Sequence, residues 1–208
     1  MIREWGQALQ RMMGEPEQAL YERVWKTDAY RKVAPGLRYV EPFLEACAVT
    51  AATDRILDVG CGTGRAAKRL MDLGYQVRAV DLAGNCLDAD LLEQVPFQRV
   101  DVTQDAPQDA EWVFCVDMLE HLPTASVPKA LAWLKGTMRK GAFLVIPMFA
   151  STCEEGLHKT VADTEWWAEQ FRRGGWYEGY HVTLLPQADQ RLIVRVEVRK
   201  MAGTPTKE

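Results

Sequence analysis

The chain has no Cys-x-x-Cys pair, no apolar run of membrane-spanning length, no internal repeat and no low-complexity tract. Its five cysteines, Cys47, Cys61, Cys86, Cys115 and Cys153, are odd in number and scattered. Neither a disulfide framework nor a cysteine zinc site is expected, no metal ligands are assigned, and a reducing, cytoplasmic compartment fits. The opening residues, MIREWGQALQ, lack the apolar core of a signal peptide, and no membrane partner is expected. Positive charge is scarce too: 25 Lys and Arg face 29 Asp and Glu, a net charge of −4. That balance argues against a nucleic-acid partner held by charge alone. At 208 residues the prior is one domain, able to bury roughly 70% of its unfolded surface without staples.

What the chain does have is ILDVGCGTGR at residues 56–65. Ile56, Leu57 and Val59 make a short apolar run suited to a buried parallel strand, with Asp58 near its carboxyl end. Gly60, Gly62 and Gly64 follow at alternate positions, and Ala66, Ala67, Leu70 and Leu73 then open a helical period. Glycines let the backbone turn sharply and meet a ligand closely, and the helix start offers free N–H groups and partial positive charge. In an open parallel sheet, ligands bind at the carboxyl ends of the strands. Spacing separates two ligand classes. A dinucleotide site wants G-x-G-x-x-G, whereas here the pattern is G-x-G-x-G with Arg65 and Ala66 next. Asp58 is a poor neighbour for a pyrophosphate and a good one for an ammonium.

From Arg55 onward strands and helices alternate, which predicts an α/β sheet with parallel strands and crossover helices. Strands are expected at 76–80, 97–100, 112–116 and 142–146, with an amphipathic helix over 126–139 ended by Gly141. Four strands finish on or beside Asp58, Asp81, Asp101 and Asp117, which places acid repeatedly at one sheet edge. Residues 181–185 and 191–198 flank PQADQ, and the period-two alternation of the second run predicts an antiparallel hairpin closing the sheet. Residues 1–50 read as an N-terminal helical segment that covers the ligand edge or packs on the sheet or a second subunit. The main domain is expected over 51–200, and a disordered tail over 201–208.

The string D-V-G-C-G-T-G resembles the first motif of class I S-adenosylmethionine-dependent methyltransferases, and the resemblance extends over about residues 36–200. It implies a Rossmann-like, mostly parallel seven-stranded sheet with a reversed final strand, and S-adenosylmethionine as cofactor. Carried onto this chain, Asp58, Gly60, Cys61, Gly62 and Gly64 would hold the methionine portion. Asp81 and Leu82, one βαβ step on, would hold the ribose. Asp101 would face the adenine amino group, and the backbone of Val102 a ring nitrogen. DMLEHLP at 117–123 resembles the segment after strand four in small-molecule methyltransferases, with Asp117 and Met118 toward the cofactor and Glu120 and His121 near the acceptor. No Asn/Asp-Pro-Pro-Tyr follows strand four and no Pro-Cys pair exists, so the DNA and glutamine amine methylases and the cytosine C5 methylases find no support.

Residues 148–179 lie where this class inserts acceptor-binding structure. There Trp166 and Trp167, about 100° apart on a helix, are put forward as acceptor contacts: one packs inward and the other lines a pocket or an interface, core packing of both being the alternative. His158 is assigned as proton acceptor, since a neutral imidazole is available at neutral pH, with His121 and Glu120 as further catalytic candidates. The expected activity is methyl transfer to oxygen or nitrogen of a small-molecule or sugar-like acceptor by a monomer or homodimer. Nucleic-acid or protein methylation is the alternative within enzymes, and a non-catalytic cofactor-binding subunit the alternative outside them. A nucleotide dehydrogenase stands third.

Overall fold

The computed structural model describes residues 16–199. The expected tail and the first part of the N-terminal segment lie outside the described residues. Strands β1 (Arg55–Val59), β2 (Gln76–Asp81), β3 (Phe97–Arg99), β4 (Ala110–Val116), β5 (Met138–Pro147), β6 (Tyr180–Pro186) and β7 (Arg191–Val198) form one sheet in the order β3-β2-β1-β4-β5-β7-β6. The first five run parallel, and β7 lies antiparallel between β5 and β6. This is the Rossmann-like sheet with its reversed closing hairpin. The helices are α1 (Glu17–Val24), α2 (Asp28–Arg31), α3 (Val40–Ala46), α4 (Arg65–Asp72), α5 (Val127–Thr137) and α6 (Thr164–Arg173). Among the described residues, no helix is long and apolar enough to cross a membrane.

Period-two alternation sorts the side chains of the central strands into two cores. Ile56, Trp112, Phe114, Phe143 and Val145 pack on one face with Phe43 of α3. Leu57, Val113, Cys115, Leu144 and Ile146 pack on the other with Leu131 and Leu134 of α5 and Phe171 of α6. Both faces are apolar because helices cover both, as parallel sheets require. Local signals fix the helix starts. Gly64 sits at φ 78 ahead of α4, and the Asp163 carboxylate accepts from Trp166 N–H at 2.8 Å to cap α6, a bond typical of N-caps.

The largest boundary difference from the sequence reading is at β5. The helix expected to reach Arg139 ends at Thr137, and β5 begins at Met138, four residues before the expected start. Met138 is buried as a strand residue paired with Ala110, across an irregularity in the β4–β5 register. Gly141 is therefore not a helix stop but a mid-strand residue. A Cβ there would overlap the Val196 carbonyl oxygen and lie 2.6 Å from the Trp112 ring.

The sheet order reverses between β1 and β4: the chain runs outward from β1 to β3, then returns to the other side of β1. A crevice opens at such a switch point. Gly60 at the end of β1 and Asp117 and Met118 after β4 stand on its two sides.

Candidate active site

The glycine loop is held from both sides of this crevice. A Cβ on Gly60, which has φ +70, would lie 2.5 Å from Met118 Cγ and 2.7 Å from its Cβ. The close approach of the two loops thus requires glycine. From β2, Asp81 accepts from Gly62 N–H at 3.0 Å and from Ala83 N–H at 2.9 Å, so one carboxylate fixes both the glycine loop and its own turn. Each oxygen keeps a lone pair for a further donor. Burial pushes the Asp81 carboxyl up, and those backbone donors oppose the rise.

Buried acids divide into satisfied and unsatisfied ones. Asp54, at the opposite end of β1, receives bonds from Thr50 N–H, Thr53, Trp112 Nε1 and Lys140. Burial raises its carboxyl, and these donors more than reverse that, to about 2. Asp58 is 3% exposed and its Oδ2 has no partner. Burial, then the Asp81 charge, push it up to about 7. Asp117 Oδ1 and both Glu120 oxygens are also unpartnered, and all three residues lie at the carboxyl edge of the sheet. Asp117 sits at φ 50, a conformation costly to a non-glycine residue and concentrated at functional sites. Burial raises its carboxyl, against the lowering pull of Arg191, whose guanidinium lies 3.8 Å away.

Two adjoining cavities meet at this edge. The first encloses about 650 Å³, counted out to open solvent, and is lined by Asp81, Leu82, Asp101, Val102 and Met118 together with Tyr21. The second, about 850 Å³ on the same count, is lined by Asp58, Cys61, Gly62, Phe149, His158 and Arg191. Gly60, Asp117, His121, Trp25 and Tyr30 belong to both, so the two open into one cleft, and each lobe is within the size range of ligand sites. Gly64 lines neither cavity; its φ is +78, and a Cβ there would lie 2.6 Å from Leu87 Cδ2. Asp101 Oδ1 accepts from Thr103 N–H and Oγ, capping its own turn.

Beneath the second cavity, Glu120, His121 and His158 converge. Glu120 is fully buried. His121 Nδ1 lies 3.1 Å from Leu157 O, and His158 Nδ1 lies 2.6 Å from Phe149 O. A carbonyl only accepts, so both Nδ1 atoms carry a proton, and in the neutral form of each ring Nε2 is the acceptor. Those Nε2 atoms stand 3.6 and 3.9 Å from Glu120 Oε1. The rings meet edge to face at 4.9 Å. Burial, then His158, hold the His121 imidazole down to about 3, while burial and Asp117 push the Glu120 carboxyl well above the carboxylate range.

Trp166 and Trp167 line neither cavity. Trp167 is fully buried in the core on the α5–α6 side, and Trp166 packs against the same core, ring centroids 4.9 Å apart. The side chains that do cover the cleft come from the N-terminal segment. The Tyr21 hydroxyl reaches toward the His121 and Leu157 carbonyls. Trp25 lies against Gly62, where a Cβ would sit 2.8 Å from its ring. Arg31 ties this cover down by donating to the Asn85, Cys86 and Leu87 carbonyls. The apolar stripe Tyr21, Val24 and Trp25 predicts a helix without saying what it covers. Nothing in the sequence marks Arg191 or Phe149, which stack at 5.0 Å.

Comparison with known proteins places this geometry. A family model described as a methyltransferase domain matches residues 3–187. Curated relatives named ubiquinone biosynthesis O-methyltransferase include one from Xanthomonas campestris pv. campestris (strain B100), 33% identical over 114 residues, covering 50% of this chain and 48% of the relative. Another, from Xanthomonas euvesicatoria pv. vesicatoria (strain 85-10), is 34% identical over 128 residues, covering 56% and 54%. The chain thus spans about half the length of the curated relatives it matches. Among solved structures, the DhpI–SAH complex aligns with a TM-score of 0.65 at 16% identity, covering 88% of this chain and 95% of that one. Magnesium protoporphyrin IX methyltransferase (ChlM) from Synechocystis PCC 6803 with bound SAM aligns at 0.64 and 14%, covering 90% and 99%. The structural likenesses carry the fold, and the family match over most of the chain carries the kinship: this protein belongs to the methyltransferase-domain family.

Proposed function

We propose that the protein transfers a methyl group from S-adenosylmethionine to a small-molecule acceptor, at oxygen in preference to nitrogen. The observation that carries the reading is Asp58: a buried carboxylate oxygen without a partner, beside the glycine loop on the cleft wall. Leaving such a group unsatisfied is costly, and an ammonium is its complement. The residues fit the cofactor in other respects. Asp58, Gly60, Cys61 and Gly62 would hold its methionine portion. Asp81 and Leu82 would hold the ribose through the lone pairs that Asp81 keeps free, and Asp101, Val102 and Met118 would face the adenine. The cofactor, when bound, supplies an electrophilic methyl on a sulfonium.

The chain's own task is then to position, to exclude water and to deal with one proton. Trp25, Tyr21 and Tyr30 close the cleft over the loop, which removes solvent from the reacting atoms. The acceptor occupies the second cavity, within residues 148–179 and their neighbours, against the His121–His158 edge. His158 has Nδ1 committed to Phe149 O and Nε2 turned to Glu120, so it acts on the acceptor's proton through that buried cluster and is not itself a free base. Oxygen is favoured because the curated relatives are named O-methyltransferases. Calorimetry with S-adenosylhomocysteine and NADH, followed by methyl-transfer assays over hydroxylated and amino small molecules, tests the reading. Saturable binding of the sulfur ligand and transfer to a hydroxyl are expected. NADH binding with none for S-adenosylhomocysteine would overturn it.

A further inference from the structure

We propose that Glu120, His121 and His158 form a binding site for one divalent transition-metal cation on the wall of the acceptor cavity. Their donor atoms all lie within 4.8 Å of one another. Both imidazoles present Nε2 lone pairs to the cluster because their Nδ1–H groups are spent on the Leu157 and Phe149 carbonyls. Such outer bonds, which fix tautomer and ring orientation, accompany metal-binding histidines almost invariably. The third donor, Glu120, is fully buried and neither of its oxygens has a hydrogen-bond partner.

As it stands, this arrangement is electrostatically frustrated. Two imidazole nitrogens face the buried Glu120 carboxyl group at 3.6 and 3.9 Å, and neither of its oxygens has a hydrogen-bond partner. A proton on Glu120 could satisfy one nitrogen at most. A cation satisfies all three groups. Metal–ligand bonds of about 2.0–2.2 Å place neighbouring donors about 3.0–3.5 Å apart; the two Nε2–Oε1 distances are 3.6 and 3.9 Å and all three donors lie within 4.8 Å, so the donors draw together when a cation binds. Two imidazoles and one carboxylate suit Zn²⁺, Mn²⁺, Fe²⁺ or Co²⁺, whereas Mg²⁺ prefers oxygen donors throughout.

The position gives the site a use. His121 and His158 line the second cavity while Glu120 lies beneath them, so a three-ligand cation would keep its open positions toward the acceptor. That selects acceptors whose nucleophile is a hydroxyl, best with a second oxygen beside it, because an oxygen pair can fill two positions at once and a cation lowers the pKa of a bound hydroxyl. This use rests on the methyltransferase reading, but cation binding itself does not.

The test is calorimetry on the chelator-treated 208-residue chain with Zn²⁺, Mn²⁺ and Mg²⁺ as the probes, and S-adenosylhomocysteine titrated separately. One equivalent of Zn²⁺ or Mn²⁺ should bind, with Mg²⁺ at least tenfold weaker. Since loss of an outer-shell partner alone costs roughly 10–100-fold in affinity, Glu120→Gln and His158→Asn should each cost at least tenfold. Both should still bind S-adenosylhomocysteine and keep a cooperative thermal transition, which separates a lost ligand from a lost fold. His181→Ala, on exposed β6, should bind metal as the wild type does. A visible absorption band on adding Co²⁺ that is absent in both ligand variants would support the same conclusion. Absence of Zn²⁺ and Mn²⁺ binding in a protein that binds S-adenosylhomocysteine would overturn the metal site and leave the methyltransferase reading standing. Metal binding unchanged in both variants would overturn it as well. Metal binding lost in both variants, in a protein that does not take up S-adenosylhomocysteine, would support the site and sink the methyltransferase reading instead.

Discussion

Replacing Gly60 by alanine isolates two physical effects at the centre of the cleft. Its φ of +70 costs an L-residue about 1–2 kcal/mol, and the new methyl would stand 2.5 Å from Met118 Cγ and 2.7 Å from Met118 Cβ. Overlap of that kind adds roughly 1–3 kcal/mol. Gly60→Ala should therefore destabilise by about 2–5 kcal/mol, slightly offset by the lower entropy of the unfolded alanine chain. The second variant decides between the effects. Met118→Ala keeps the Cβ that overlaps most rigidly, so it should relieve little. Met118→Gly removes the obstacle, since Met118 Cα stands 3.9 Å away. A double-mutant cycle by urea unfolding should give a coupling of roughly 1–3 kcal/mol between Gly60→Ala and Met118→Gly, and the left-handed penalty should persist. S-adenosylhomocysteine affinity should recover in parallel with the loop. A coupling below about 0.5 kcal/mol, the scatter of independent sites, would show that the two loops do not touch as described.

Three further outcomes follow from the same geometry. Asp58, pushed up to about 7, holds a proton in the folded state from about pH 4 to 7 where the unfolded chain, with a pKa near 3.9, has lost it. The folded state binds more protons in that window, so stability falls as pH rises through it. Asp58→Asn should lose this slope in urea midpoints taken across it, and identical slopes would refute the assignment. Asp81→Asn leaves one oxygen to serve Gly62 N–H and Ala83 N–H. Losing a charge-assisted bond of about 1.5–3 kcal/mol should weaken S-adenosylhomocysteine binding by about tenfold or more. An unchanged dissociation constant by calorimetry would mean the loop is held elsewhere. Arg31→Ala removes the donors to Asn85, Cys86 and Leu87. Amide exchange should then accelerate across α1 and α2 and stay unchanged in β4 and β5, whereas uniform acceleration would contradict a cover that opens by itself.

The sequence by itself determined the strand–glycine–helix unit, the acidic strand ends and the closing hairpin. Each of these is a local matter: a run of apolar residues, a spacing of glycines, an alternation of period two. Local signals are also why Asp58, Asp81, Asp101 and Asp117 could be named before their meeting was seen, since parallel strands bring successive carboxyl ends to one edge, whereas Leu82, Val102 and Met118 are named through the family resemblance. Tertiary structure decided what depends on residues distant in the chain. Gly141 reads as a helix stop until the Val196 backbone and the Trp112 ring are found against it. Of Trp166 and Trp167 one is expected inward and the other at a pocket or interface, yet Trp167 lies in the core and Trp166 packs against the same core, the arrangement given as the alternative. His121 and His158 stand 37 positions apart, and only the return of the chain after β5 sets both rings around Glu120. The burial of that carboxylate, which makes it chemically significant, is a property of everything packed over it, and no pattern in Asp117–Pro123 could record it.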